Sequence, residues 1–140
     1  MSDAERATDH RGSQVLSRED CDRLLSTTPI GRVAFLQGGE THILPVNYVF
    51  DEGEIVIRTT AGSKMEAAEM HHRFAFEIDE WDEEARSGWS VLAHGMGEVI
   101  NDAAEIERLK GLGLATWAGE GRSDLWMKIR LDDVTGRRVG

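Results

Sequence analysis

Short runs of β-forming residues, separated by glycine-bearing turns, recur along most of this chain and restrict it to a small antiparallel β fold. Gly31 to Gln37 (GRVAFLQ) is strand-like, and Gly38-Gly39 behind it supplies the positive φ angles that a tight hairpin needs. Thr41 to Phe50 (THILPVNYVF) follows as a second strand, in which Pro45 cannot donate to a ladder and so predicts an edge, a bulge or a bend. Asp51-Glu52-Gly53 reads as a turn into Glu54 to Thr60 (EIVIRTT), and Ala61-Gly62 breaks that strand. Arg73 to Asp79 alternates Phe74, Phe76 and Ile78 with other residues, as a half-buried strand does. Gly88 to Ile100 predicts a longer strand bent or bulged at Gly95 and Gly97, and Trp126 to Leu131 and Thr135 to Val139 complete the set.

Helical periodicity is confined to short stretches. Ser17 and Asp20 form a capping-box-like start, with Cys21, Leu24 and Leu25 on one face until Thr28-Pro29 ends the helix. Ser63 can cap a helix through Met70, and Asp102 with Glu105 opens a third whose apolar face carries Ile106, Leu109 and Leu112. The fold class expected is mainly β: a six- to seven-stranded antiparallel barrel, built of consecutive hairpins, with short helices outside it. A chain of 140 residues with no internal repeat fits one domain, over 14–140, behind a polar tail at 1–13 that has no apolar signal-like core. A cytoplasmic location is expected, and no apolar run approaches the ~18 residues needed to span a bilayer.

Acidic residues outnumber basic ones 26 to 16, a net charge of -10 that disfavours a nucleic-acid partner. Six of those acids fall between Glu77 and Glu84, where a solvated loop is expected. The lone Cys21 rules out an internal disulfide and a thiolate-rich metal centre, and reads as a small apolar residue on a helix face. His71-His72, His42 and His94 invite a metal or haem reading, but adjacent histidines on a strand point to opposite faces and do not easily ligate one ion, so no metal site is expected. The chain has no Cys-x-x-Cys, His-Glu-x-x-His or Gly-x-Ser-x-Gly pattern, so zinc hydrolysis and elbow-type nucleophilic hydrolysis have no support.

Two segments could carry chemistry. In Ile55 to Ala68 (IVIRTTAGSKMEAA) a strand runs through a glycine turn into a helix, so Arg58, Ser63 and Lys64 can converge on an anion; alternatively Ser63 caps the helix and the cations are solvated. In Leu44 to Val49 (LPVNYV) an interrupted strand offers unpaired backbone groups to the edge of a flat heterocycle; alternatively it is a bulge with Asn47 satisfied by backbone.

Together with TPIGRVAF, FAFEID followed by GWSVLAHGMGEV, and VTGRRV, these segments resemble the pyridoxamine 5'-phosphate oxidase-like superfamily, particularly the small bacterial branch with nitroimidazole-reductase-type proteins. The resemblance covers roughly Leu16 to Val139. It implies a split β-barrel homodimer holding FMN at the subunit interface. Arg58, Thr59, Ser63 and Lys64 match its phosphate-binding segment; Pro45, Val46, Asn47 and Tyr48 match the strand beside the ring; Trp89 and Ser90 match a later strand that approaches the ring from either subunit, with Trp126 a weaker match. The Arg-x-His segment that grips pyridoxal phosphate has no counterpart in LWMKIRLDDVTGRRV, so vitamin B6 oxidation is not implied. The function expected is an FMN-dependent oxidoreductase acting on a small molecule, with no identifiable catalytic residue. The alternatives are a reductase using the deazaflavin F420 and a non-catalytic flavin-binding or storage protein.

Overall fold

The computed structural model describes residues 13–60, 62–69, 71–114 and 125–140. In chain order the elements are β1 (Gln14–Val15), α1 (Arg18–Thr27), β2 (Ile30–Gln37), β3 (Glu40–Asn47), β4 (Val49–Asp51), β5 (Glu54–Thr59), α2 (Ser63–Glu69), β6 (Arg73–Asp82), β7 (Ser87–Val99), α3 (Ala103–Lys110) and β8 (Leu125–Val139). Seven strands form one antiparallel sheet in the order β3-β2-β6-β7-β8-β5-β4, and the two-residue β1 adds to β8. The expected mainly β split barrel with short flanking helices is the fold the chain adopts. Residues 1–12 of the polar tail and Met70 lie outside the described residues.

Local chemistry sets most boundaries. Ser17 accepts from the Asp20 amide at 3.1 Å to start α1, and Thr28, extended at ψ 131° before Pro29, ends it. Gly38 and Gly39 take φ of 61° and 80° and turn β2 directly into β3. The register of β7 on β8 shifts between His94 and Gly95, where a Cβ on Gly95 would stand 2.1 Å from the Arg130 carbonyl oxygen. Only glycine lets the two backbones approach that closely, so the predicted bulge falls where expected.

Three expectations are corrected. The 41–50 run is two strands, and the break falls at Tyr48 and not at Pro45, which sits exposed in edge strand β3 opposite Arg32. A proline is tolerated there because an edge position needs no further donor. The acid-rich stretch is no loop: β6 continues to Asp82, paired through Asp79 with Ser90 and through Asp82 with Ser87, and the turn begins only at Glu83. Cross-strand pairing with β7 outweighs the poor intrinsic propensity of the acids. The two last strands are one 15-residue strand, β8, which serves both β7 and β5.

The interior is packed by alternate residues of the strands, among them Val33, Ile57, Phe76, Val91 and Met127, with α1 contributing Cys21, Leu24 and Leu25 and α2 contributing Ala67 and Ala68. On the other face of β5 and β8, α3 covers a smaller cluster of Val56, Ile100, Leu109, Leu114 and Trp126. Tyr48 locks the seam between β3 and β4. Its amide donates to the Pro29 carbonyl at 3.3 Å, its hydroxyl donates to the Leu25 carbonyl at 2.7 Å, and its ring stands edge-on to Phe76 at 4.6 Å. On the outside of the sheet, Arg32 donates to Glu77 at 3.1 Å and to Asp79 at 3.2 Å, so two carboxylates share one guanidinium. Burial, then the hydrogen bond and charge of Asp79, push the Glu77 carboxyl up to about 7 against the opposing pull of Arg32.

Two stability predictions follow from this packing. Tyr48→Phe leaves the buried Leu25 carbonyl without its donor and is expected to cost about 1–3 kcal/mol in urea unfolding; an unchanged midpoint would show that the seam does not depend on that bond. Folding raises Glu77 above its ordinary value of 4.5 to about 7, so the folded chain keeps a proton that the unfolded chain releases in that window. Its contribution is therefore complete below the window and lost as pH rises through it. Glu77→Gln should flatten the fall in stability between about pH 5 and pH 8, measured as thermal midpoints; an identical pH slope in the variant contradicts the assignment.

Candidate functional site

The strand-to-helix segment 58–64 carries four of the expected site residues, but they do not share one face. Arg58 lies on the α3 side of β5, 5.4 Å over the Trp126 ring opposite it, and donates to the Leu114 carbonyl at 3.1 Å. Thr59 is buried on the other side of the strand, with its hydroxyl 3.5 Å from the Thr60 carbonyl. Ser63 is the first residue of α2; its side chain lies outside the described residues. Lys64 follows it, half-buried, with no acid or hydrogen-bond acceptor against it among the described residues, and burial holds its ammonium below the usual lysine value. Since α2 is only seven residues long, the charge of Lys64 and Arg58, more than a helix terminus, is what the segment offers an anion.

The second expected group divides in the same way. Pro45 is exposed on β3, whereas Val46 points into the core, so only its backbone is presented. The Tyr48 phenol donates its proton to the Leu25 carbonyl, and burial pushes it well above the usual tyrosine value, so it stays protonated and engaged there. Asn47 is half-buried, and its amide has no hydrogen-bond partner among the described residues.

Asn47 opens onto a cleft of about 500 Å³ between the end of α1, the 47–51 segment and the 112–114 turn. Leu114, which accepts from Arg58, lines the same cleft, so the 58–64 segment and the interrupted strand meet at its edge. Asp51 at its rim takes both guanidinium nitrogens of Arg108, at 3.1 and 2.8 Å. Sequence reasoning missed this cleft. Its walls come from 25–29, 47–51 and 112–114, stretches far apart in the chain, and no local pattern reports contacts of that range.

Trp89 and Ser90 are not part of this cluster. They pair with Arg138 and Arg137 near the end of β8, whereas Arg58 pairs with Trp126 near its start. Twelve residues of strand correspond to roughly 40 Å if straight. Trp126 is buried, and its indole nitrogen has no partner among the described residues.

The histidines are dispersed: His71 sits in the turn after α2 with φ 55° and not on a strand, His42 stacks on Phe35 at 5.2 Å, and His94 lies 3.5 Å from Asp133. No group of three metal-ligating side chains occurs among the described residues. Nor is any of their helices long and apolar enough to cross a membrane.

Comparison with known proteins places the chain in a family. A family model described as pyridoxamine 5'-phosphate oxidase matches residues 17–138. An uncharacterised protein of Mycobacterium tuberculosis is 30% identical over 129 residues, covering 89% of this chain and 84% of its own. Of solved structures, the FAD binding protein from Mycobacterium smegmatis is 28% identical with a TM-score of 0.74, covering 90% of this chain and 99% of that one. A conserved protein of unknown function from Corynebacterium diphtheriae is 26% identical with a TM-score of 0.76, covering 91% and 98%. The match runs from the cap of α1 almost to the end of β8, and the chain therefore belongs to the pyridoxamine 5'-phosphate oxidase family.

Proposed function

We propose that this protein binds a flavin nucleotide, FMN, by its phosphate at Arg58 and Lys64, and uses it as an oxidoreductase on a small molecule. The observation that carries this reading is Lys64: a half-buried ammonium with no acid against it among the described residues, whose charge burial disfavours and an arriving anion would stabilise. Trp126 beside Arg58 adds a buried indole donor without a partner among the described residues, which suits a ligand rich in acceptor oxygens. When bound, the flavin supplies the electron sink, and the chain has only to orient it and its partner molecule. Asn47 and the backbone of 45–48 would line the ring edge, while Tyr48, tied to Leu25, holds that strand in place.

Vitamin B6 oxidation is not proposed, because the substrate-gripping Arg-x-His segment is missing from the C-terminal strand. A second reading, FAD in place of FMN, is favoured by the name of the M. smegmatis relative. The net charge of -10 argues against the long anionic tail of F420. Use of Trp89 and Ser90 in the same site requires a second copy of the chain, since they lie at the far end of β8 from Arg58. A homodimer with the flavin between subunits meets that requirement.

Titration of the flavin-free protein with FMN, followed by fluorescence and by sedimentation, tests both parts. Lys64→Ala with Arg58→Ala should weaken binding by several kcal/mol, at ~1.5–3 kcal/mol per charge-assisted bond, while the wild-type chain sediments as a dimer. Unchanged affinity removes the phosphate site, and a micromolar monomer that still binds FMN removes the shared one.

A further inference from the structure

The cleft at the end of α1 has an electrostatic character that the flavin reading does not use. α1 ends at the cleft with no basic residue in its last turn, so its carbonyls there are capped by neutral hydroxyls and no cation of the helix offsets the negative end of its dipole. The three hydroxyls there have spent their protons on helix carbonyls: Ser26 donates to Asp22 at 2.8 Å, Thr27 to Leu24 at 3.2 Å and Thr28 to Leu24 at 2.9 Å. Their oxygens can therefore only accept. Asp51 adds a carboxylate, and Arg108, which neutralises it, is held by both its terminal nitrogens. No lysine, arginine or histidine lines the cleft among the described residues. The one side chain able both to donate and to accept is Asn47, whose amide is unclaimed among those residues. Between these groups the walls are apolar, with Val49, Phe50 and Leu112. The volume, about 500 Å³, lies within the range of small-molecule sites.

We infer that this cleft is the substrate pocket and that it takes a planar organic molecule, neutral or singly cationic and bearing N–H donors, while rejecting carboxylates and phosphates. The inference rests on the flavin reading only for the word substrate, through the place of Asn47 beside the ring strand. A carboxylate brought here would meet a helix carbonyl end and hydroxyl lone pairs, with no cation among the described lining residues to offset its desolvation. An amide or amidinium donates to those same acceptors, and a neutral amide also accepts from Asn47.

Benzamide, benzamidinium and benzoate, matched in size and differing in charge, test this on the full chain as purified. Two-dimensional NMR reads the Asn47 side-chain amide and the backbone amides of 112–114 during titration. Benzamide and benzamidinium should shift these signals, with benzoate weaker by about tenfold or more. Asn47→Leu should weaken benzamide about tenfold, and Thr28→Val, nearly isosteric, should weaken both donors while leaving the spectrum folded. Benzoate binding as tightly as the amide, shifts confined to residues outside the cleft, or variants that change nothing would each overturn the inference, as would a flavin-loaded protein whose cleft ignores all three probes. The visible spectrum of the same samples reports flavin separately. A cleft that binds benzamide in a protein unable to take up flavin keeps the pocket and removes only the flavin reading.

Discussion

Everything in this fold depends on one extended segment, residues 40–51, serving both edges of the same sheet. Its first part pairs with β2 and its last part with β5, and β2 and β5 are otherwise separated by β6, β7 and β8. The sheet must curl until the chain itself bridges its edges. The bridging residue is Tyr48, whose phenol reaches down to Leu25 and whose amide reaches across to Pro29. One side chain thus ties the seam of the barrel to the end of α1.

The site follows from that seam. A strand that leaves one neighbour before joining another cannot keep its ladder unbroken, and beside that break Asn47 stands half-buried with its side-chain amide unclaimed among the described residues. The same break sets the end of α1 against the 47–51 segment and leaves the cleft between them. β8, long enough to pair with β7 along one part and β5 along another, then places Arg58 and Trp89 at opposite ends. Under the proposed flavin reading, that separation is what calls for a second copy of the chain.

Much of the architecture was legible in the sequence because short-range chemistry encodes it. Ser17, Pro29, Gly38-Gly39 and Asp102 set boundaries through capping and φ preference, and Gly95 marked the bulge because a Cβ there would meet backbone. Pro45 drew attention away from the true break, since the seam is decided by which strands the segment must reach and not by its own composition. The acids of 79–82 were misread for the same reason: β7 supplies the pairing that their propensities do not. In the candidate site, Lys64 and Asn47 were visible as residues, while their lack of partners among the described residues was not. The Arg58–Leu114 and Arg108–Asp51 contacts join distant parts of the chain and leave no trace in any local window.

The central proposal, that Arg58 and Lys64 hold the phosphate of a flavin nucleotide, is tested most directly by the visible absorption spectrum of the purified protein, before and after added FMN, with mass spectrometry of whatever heat releases. The account predicts a yellow protein, as purified or after addition, that releases FMN. Release of FAD would keep the site and change its nucleotide, and a protein that neither carries nor takes up any flavin would contradict the account.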